Sequence, residues 1–160
     1  MADGYAQVTR NAGLVNLHSA TGLGHSLGAV FTAYKNQAPL VIIAGQQARS
    51  ILPYEPFLYA ERASEFPRPY VKWSVEPARA EDVPAAIARA YYTAMQPPRG
   101  PTFVSVPVDD WDRLCEPVEP GLPKIVVVPK ARKRSNTRSR TVFSIFEERW
   151  PDIAISSCAV

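Results

Sequence analysis

The run "PLVIIAG", residues 39–45, constrains this chain more than any other stretch. Five consecutive apolar residues, Leu40 to Ala44, stand behind Pro39, and Gly45 ends the run. A strand of that profile is buried on both faces, as inner strands of parallel sheets are. Parallel strands need crossovers between them, so helices must flank this one.

The flanking sequence supplies them. "ADGYAQVTR" places Ala2, Tyr5 and Ala6 at helical spacing, with Asn11 and Gly13 to stop it. "GLVNLH", Gly13 to His18, is a short apolar strand. "TGLGHSLGAVFTAYKNQ" follows as a helix on Leu23, Leu27, Val30, Phe31 and Tyr34, entered through a glycine-rich turn at Gly22 and Gly24. After residue 45 a loop and a short helix from Phe57 to Glu65 are expected, then "YVKWSV" as an alternating strand. "EDVPAAIARAYYTAMQ" is a helix whose Glu81 and Asp82 suit the dipole and whose Pro84 suits a first turn. "TFVSVPV" is another buried strand. The order predicts an α/β fold: a doubly wound parallel sheet with helices on both faces.

Charge separates the chain into two parts. Residues 1–123 carry 10 Lys and Arg against 12 Asp and Glu, whereas residues 124–160 carry 8 against 3. The basic character therefore sits in the tail, and the body lacks a nucleic-acid footprint. "KIVVVPK" is a possible strand; "KARKRSNTRSRT" reads as disordered or linker-like. Its basic residues suit weak, salt-sensitive nucleic-acid binding less well than a solvated tail. No apolar run reaches about 18 residues, so no membrane span is expected. The N-terminus has no secretory pattern, and two distant cysteines make neither a disulfide framework nor a zinc site. A cytoplasmic location fits.

Several nucleotide motifs are missing. "GLGHSLG" does not have the G-x-G-x-x-G spacing, and there is no P-loop and no nucleophile elbow. Two histidines, His18 and His25, are too few for a protein-ligated metal. His18 reads first as a histidine satisfied by hydrogen bonds at a strand end; the sharper alternative is a proton shuttle, supported by its place at the ligand-facing edge of a parallel sheet. His25 reads as a surface or capping residue. Asp109, Asp110 and Asp112 form a carboxylate cluster, read as an acidic loop or helix cap ahead of a metal set. Gln46, Gln47 and Arg49 follow a strand end and suit a ligand contact, a subunit contact or a polar loop equally.

"ADGYAQ", "NLHSATG", "PLVIIAGQQAR", "FPRPYVKWS" and "RGPTFVSVPVDDWD" occur together in this order. As a set they resemble the pyrimidine-binding domain of thiamine diphosphate-dependent enzymes, and within it the benzoylformate decarboxylases, over residues 2 to about 112. The resemblance implies the thiamine diphosphate-binding fold with its first βα unit missing. It divides the chain into a partial pyrimidine-binding domain at 1–112, a linker at 113–129 and a basic tail at 130–160 unlike the family.

The implied chemistry is non-oxidative decarboxylation of an aryl 2-keto acid with thiamine diphosphate and Mg2+, and the implied assembly is a homo-oligomer. His18 takes the role of proton handling beside the cofactor, with Gly22, Gly24, His25 and Gln46 on the cofactor side and no metal ligand in the chain. The family's activating glutamate lies upstream of "ADGYA" and is not in this sequence, nor is the Gly-Asp-Gly…Asn motif that grips diphosphate and metal. At His25 the decarboxylase pattern has asparagine. These departures imply a fragment or degraded relative, inactive alone. Acetolactate synthase and oxalyl-CoA decarboxylase relatives are neighbouring readings, and a non-catalytic interaction module is a third.

Overall fold

A computed structural model describes residues 1–114. The expected tail, and all of the expected linker except Arg113 and Leu114, lie outside the described residues. Helix α1 (Ala2–Thr9) ends at Arg10, whose φ of 60° is left-handed and whose N–H donates to the Ala6 carbonyl. Strand β1 (Gly13–Leu17), helix α2 (Ser19–Lys35) and strand β2 (Leu40–Gln46) follow. After a long irregular segment come strand β3 (Ser74–Val75), helix α3 (Val83–Met95) and strand β4 (Pro101–Pro107). The four strands are all parallel, in the order β1-β2-β4-β3.

The period of two along the strands sorts the core into two layers. Leu40, Ile42, Ala44 and Phe103 face one side, against Ala6 of α1 and Leu23, Val30 and Ala33 of α2. Val41, Ile43, Val104 and Val106 face the other, against Val83, Ile87 and Ala90 of α3. Every residue of β4 is buried, as the central place of that strand demands. The expected doubly wound sheet with helices on both faces is therefore present.

Polar groups inside this core have partners. The Thr102 hydroxyl lies 3.1 Å from both the Leu40 and Ala90 carbonyls and ties α3 to the sheet. Lys72 donates through Nζ to Thr93 O at 2.5 Å and Gln96 O at 2.6 Å, so its charge meets the carbonyls at the C-terminus of α3. Burial pushes its pKa below the usual lysine value. Gly13 is the glycine that packing requires: a Cβ there would lie 3.0 Å from the Ala2 carbonyl oxygen, holding α1 off the sheet.

Four local expectations need correction. The residues around Gly22 and Gly24 form no turn; α2 begins at Ser19 and includes both. A Cβ at either would make only ordinary contacts of 3.5 Å or more. The expected apolar stripe is also rotated, because Phe31 and Tyr34 are 40% and 38% exposed while Ala33 is buried. The two rings instead pack edge-on against Tyr70. Residues 57–65 form successive turns rather than a helix, with Glu65 N bonded to Arg62 O at 2.9 Å. "YVKWSV" contributes two paired residues instead of six, since β3 is a sheet edge.

Candidate functional site

The C-terminal ends of parallel strands define the crevice in which open α/β sheets bind ligands. Each strand here delivers a polar residue to that edge: His18 after β1, Gln46 at the end of β2, Glu76 after β3, and Asp109 and Asp110 after β4.

His18 is the N-cap of α2, with extended backbone at φ −82° and ψ 103°. Its carbonyl accepts the Gly22 N–H at 2.7 Å, which closes the first helical turn. Its side chain makes no capping bond and is exposed. Among the described residues nothing hydrogen-bonds the imidazole, so the strand-end position leaves both ring nitrogens available. A Cβ added at Gly22 would lie 3.5 Å from the His18 Cβ, so Gly22 borders His18, and His25 lies about one turn further along α2. The imidazole of His25 is also exposed. His18 and Gly22 form an open rim, with His25 further along the helix.

Gly24 and Gln46 do not share it. Gly24 faces the Phe66 ring, and Gln46 is 4% exposed. The Gln46 amide donates to Ala60 O at 2.9 Å, while its oxygen accepts Gln47 N at 3.0 Å and Ala60 N at 3.3 Å. Both ends are thus committed to strapping the 57–66 segment onto β2. Beneath that segment lies a slot of about 10 Å³, room for about one water, lined by Ser19, Leu23, Ala44, Phe66, Phe103 and Ser105.

Arg49 joins three strand ends. Its guanidinium makes a bidentate pair with Asp110, both bonds 2.7 Å, and donates to Pro77 O at 2.7 Å. Its backbone N–H donates to the Asp109 carboxylate at 3.0 Å. The Asp110 side chain is 2% exposed, whereas that of Arg49 is 32% exposed. The hydrogen bond that Arg49 donates to Asp110 raises the Arg49 pKa against the opposing effect of burial. The acidic cluster is thus an anchor for Arg49 through Asp109 and Asp110, while Asp112 stays exposed. Among the described residues no three His, Cys, Asp or Glu side chains gather to hold a metal ion.

Sequence reasoning overlooked Glu76, Ser105 and Ser19. Glu76 accepts the buried Ser105 hydroxyl at 2.6 Å. Its signal was available, because it follows the strand "YVKWSV" as His18 follows "GLVNL". Ser105 sits inside an apolar run and carries no signal of its own.

Residues 1–65 match the family model described as "Thiamine pyrophosphate enzyme, N-terminal TPP binding domain". The chain is 49% identical over 111 residues to a benzoylformate decarboxylase of Pseudomonas aeruginosa, covering 69% of this chain and 21% of that protein. It is 35% identical over 109 residues to an acetolactate synthase large subunit of Buchnera aphidicola, covering 68% and 19%. Among solved structures it resembles benzoylformate decarboxylase from Polynucleobacter necessarius, at 49% identity and a TM-score of 0.69, with 84% of this chain and 23% of that one covered. The thiamine diphosphate-dependent 4-hydroxybenzoylformate decarboxylase of Rhodococcus jostii is similar at 41% identity and a TM-score of 0.73, covering 94% and 27%. The chain therefore spans about a fifth of the length of the curated relatives it matches.

Proposed function

Because the chain belongs to the thiamine pyrophosphate enzymes through their N-terminal TPP binding domain, we propose that it supplies part of the pyrimidine-binding side of a 2-keto acid decarboxylase site of benzoylformate type. The observation that carries this reading is the exposed, unengaged His18 imidazole at the end of a parallel strand, within a stretch 49% identical to a benzoylformate decarboxylase. The lower identity to an acetolactate synthase, 35%, favours the aryl 2-keto acid over pyruvate chemistry.

Thiamine diphosphate, when bound, supplies the carbon nucleophile and the electron sink. His18 gives and takes a proton at a ring nitrogen, the general acid–base role of a positioned imidazole. Gly22, which has no Cβ, leaves room beside it, since a Cβ there would lie 3.5 Å from that of His18. Gln46 and Gly24 act at one remove, holding the 57–66 segment as a wall. The carboxylates after β4 are bound to Arg49, so the described residues offer Mg2+ no ligand set. The rim is in this chain and the grip on diphosphate and metal is supplied by other parts of a complete enzyme. On this reading the 160-residue chain does not turn over a 2-keto acid by itself.

An exchange of segments tests the reading. A hybrid is made from the Pseudomonas aeruginosa enzyme, with its matching 111-residue stretch replaced by that of this chain. It is expected to turn over benzoylformate in preference to pyruvate. A folded hybrid that prefers pyruvate, or that decarboxylates neither, would overturn it.

A further inference from the structure

Ser19 has a conformation that its residue type does not favour. Its φ is 48°, in the left-handed region where a Cβ meets the backbone and where glycine, not serine, is the usual occupant. Of the four non-glycine residues at positive φ among the described residues, Arg10 closes a helix and Glu55 a short 3-10 turn, and Gln37 lies just past a helix end. Ser19 alone opens a helix, directly after the exposed histidine. Strained backbone of this kind persists only where its surroundings hold it, and it collects at working sites.

The surroundings that hold it are visible. The Ser19 side chain is inside, with the residue 3% exposed, and its hydroxyl lies 3.2 Å from that of Thr21. It lines the slot with Leu23, Ala44 and Phe66. One residue earlier the His18 carbonyl is fixed by the Gly22 N–H at 2.7 Å. Between an extended residue 18 and a helical residue 20, the left-handed step sends two consecutive side chains to opposite destinations. Ser19 goes into the core and His18 out to the crevice rim. An ordinary helical φ at residue 19 would continue α2 back through His18 and change the direction of its Cα–Cβ bond.

We propose that Ser19 is a positioning residue for His18: its left-handed backbone, locked by a buried side chain, turns β1 into α2 so that the imidazole stands on the open rim. The proposal rests on the reading of His18 as the proton-handling group. Its test reads the ring itself, without cofactor or turnover, so failure of one is separable from failure of the other.

The test compares Ser19→Ala and Ser19→Gly in the full chain by thermal unfolding and by NMR relaxation of the His18 ring carbon–hydrogen pair. Alanine keeps the backbone restriction and removes only the hydroxyl, so the ring signals stay at their wild-type positions with wild-type relaxation. Glycine removes the left-handed penalty and the locking side chain together. The Ser19→Gly chain is expected to melt within a few degrees of wild type, while the His18 ring shifts, broadens or splits into a second population. An unchanged ring in Ser19→Gly overturns the proposal. Equal disturbance in both variants also overturns it, because the hydroxyl and not the backbone would then set the ring. A Ser19→Gly chain that fails to fold overturns it as well, since the serine would be a structural requirement of the core.

Discussion

In the hybrid decarboxylase, His18→Ala lowers kcat by about 10²–10⁴-fold, the range for removal of a positioned proton-transfer group. The fold is untouched, because the side chain is exposed and makes no capping bond to α2. Stability therefore stays within about 0.5 kcal/mol of the parent, as for other exposed sites. The separation between rate and stability is the informative part. Steady-state assay with benzoylformate and urea unfolding of the same preparations measure both. A loss under about tenfold would remove His18 from the chemistry, and a rate loss matched by unfolding would make it structural.

Asp110→Ala gives the opposite signature. It removes the carboxylate that holds Arg49 by two 2.7 Å bonds and leaves the guanidinium without its main partner. Breaking one side of a buried pair costs about 3–5 kcal/mol. Here the lower end applies, about 3 kcal/mol, because the Arg49 side chain is 32% exposed and regains some water. Against a total of about 5–15 kcal/mol for a domain, that is a large fraction. Arg49→Met strands the Asp110 carboxylate, 2% exposed, and loses as much or more. The double variant Arg49→Met with Asp110→Ala loses less than the sum of the two, since neither charge is left buried alone. Urea midpoints of the four proteins read this coupling. A loss under about 1 kcal/mol in Asp110→Ala would show the pair to be a surface contact in its energetics.

The elements that sequence alone located are those whose patterns come from burial. Leu40–Ala44 reads as a doubly buried strand and is one, and Pro84 marks the start of α3 as its missing N–H suggests. The failures come from tertiary context. Phe31 and Tyr34 satisfy helical spacing, yet Tyr70 draws them aside and smaller Ala33 takes the core. Glycines in "TGLGHSLG" suggest a turn by composition, but the helix absorbs them because the sheet beneath it fixes its axis.

The site divides in the same way. His18 was legible because a polar residue ends an apolar strand. The destination of Asp109 and Asp110 was not, since Arg49 lies 60 and 61 residues away in sequence. Gln46 was seen as polar at a strand end, and its inward strap to Ala60 depends on a loop with no periodic signal. A left-handed Ser19 leaves no trace in composition at all.

Isothermal titration with thiamine diphosphate and Mg2+, run on the 160-residue chain and on the hybrid, probes most directly whether this polypeptide holds the rim of a site without the grip. The hybrid should bind with micromolar affinity or better and the chain should give no binding heat up to millimolar cofactor. Micromolar binding by the chain alone would mean that its own residues grasp the cofactor, and the division of labour drawn here would be wrong.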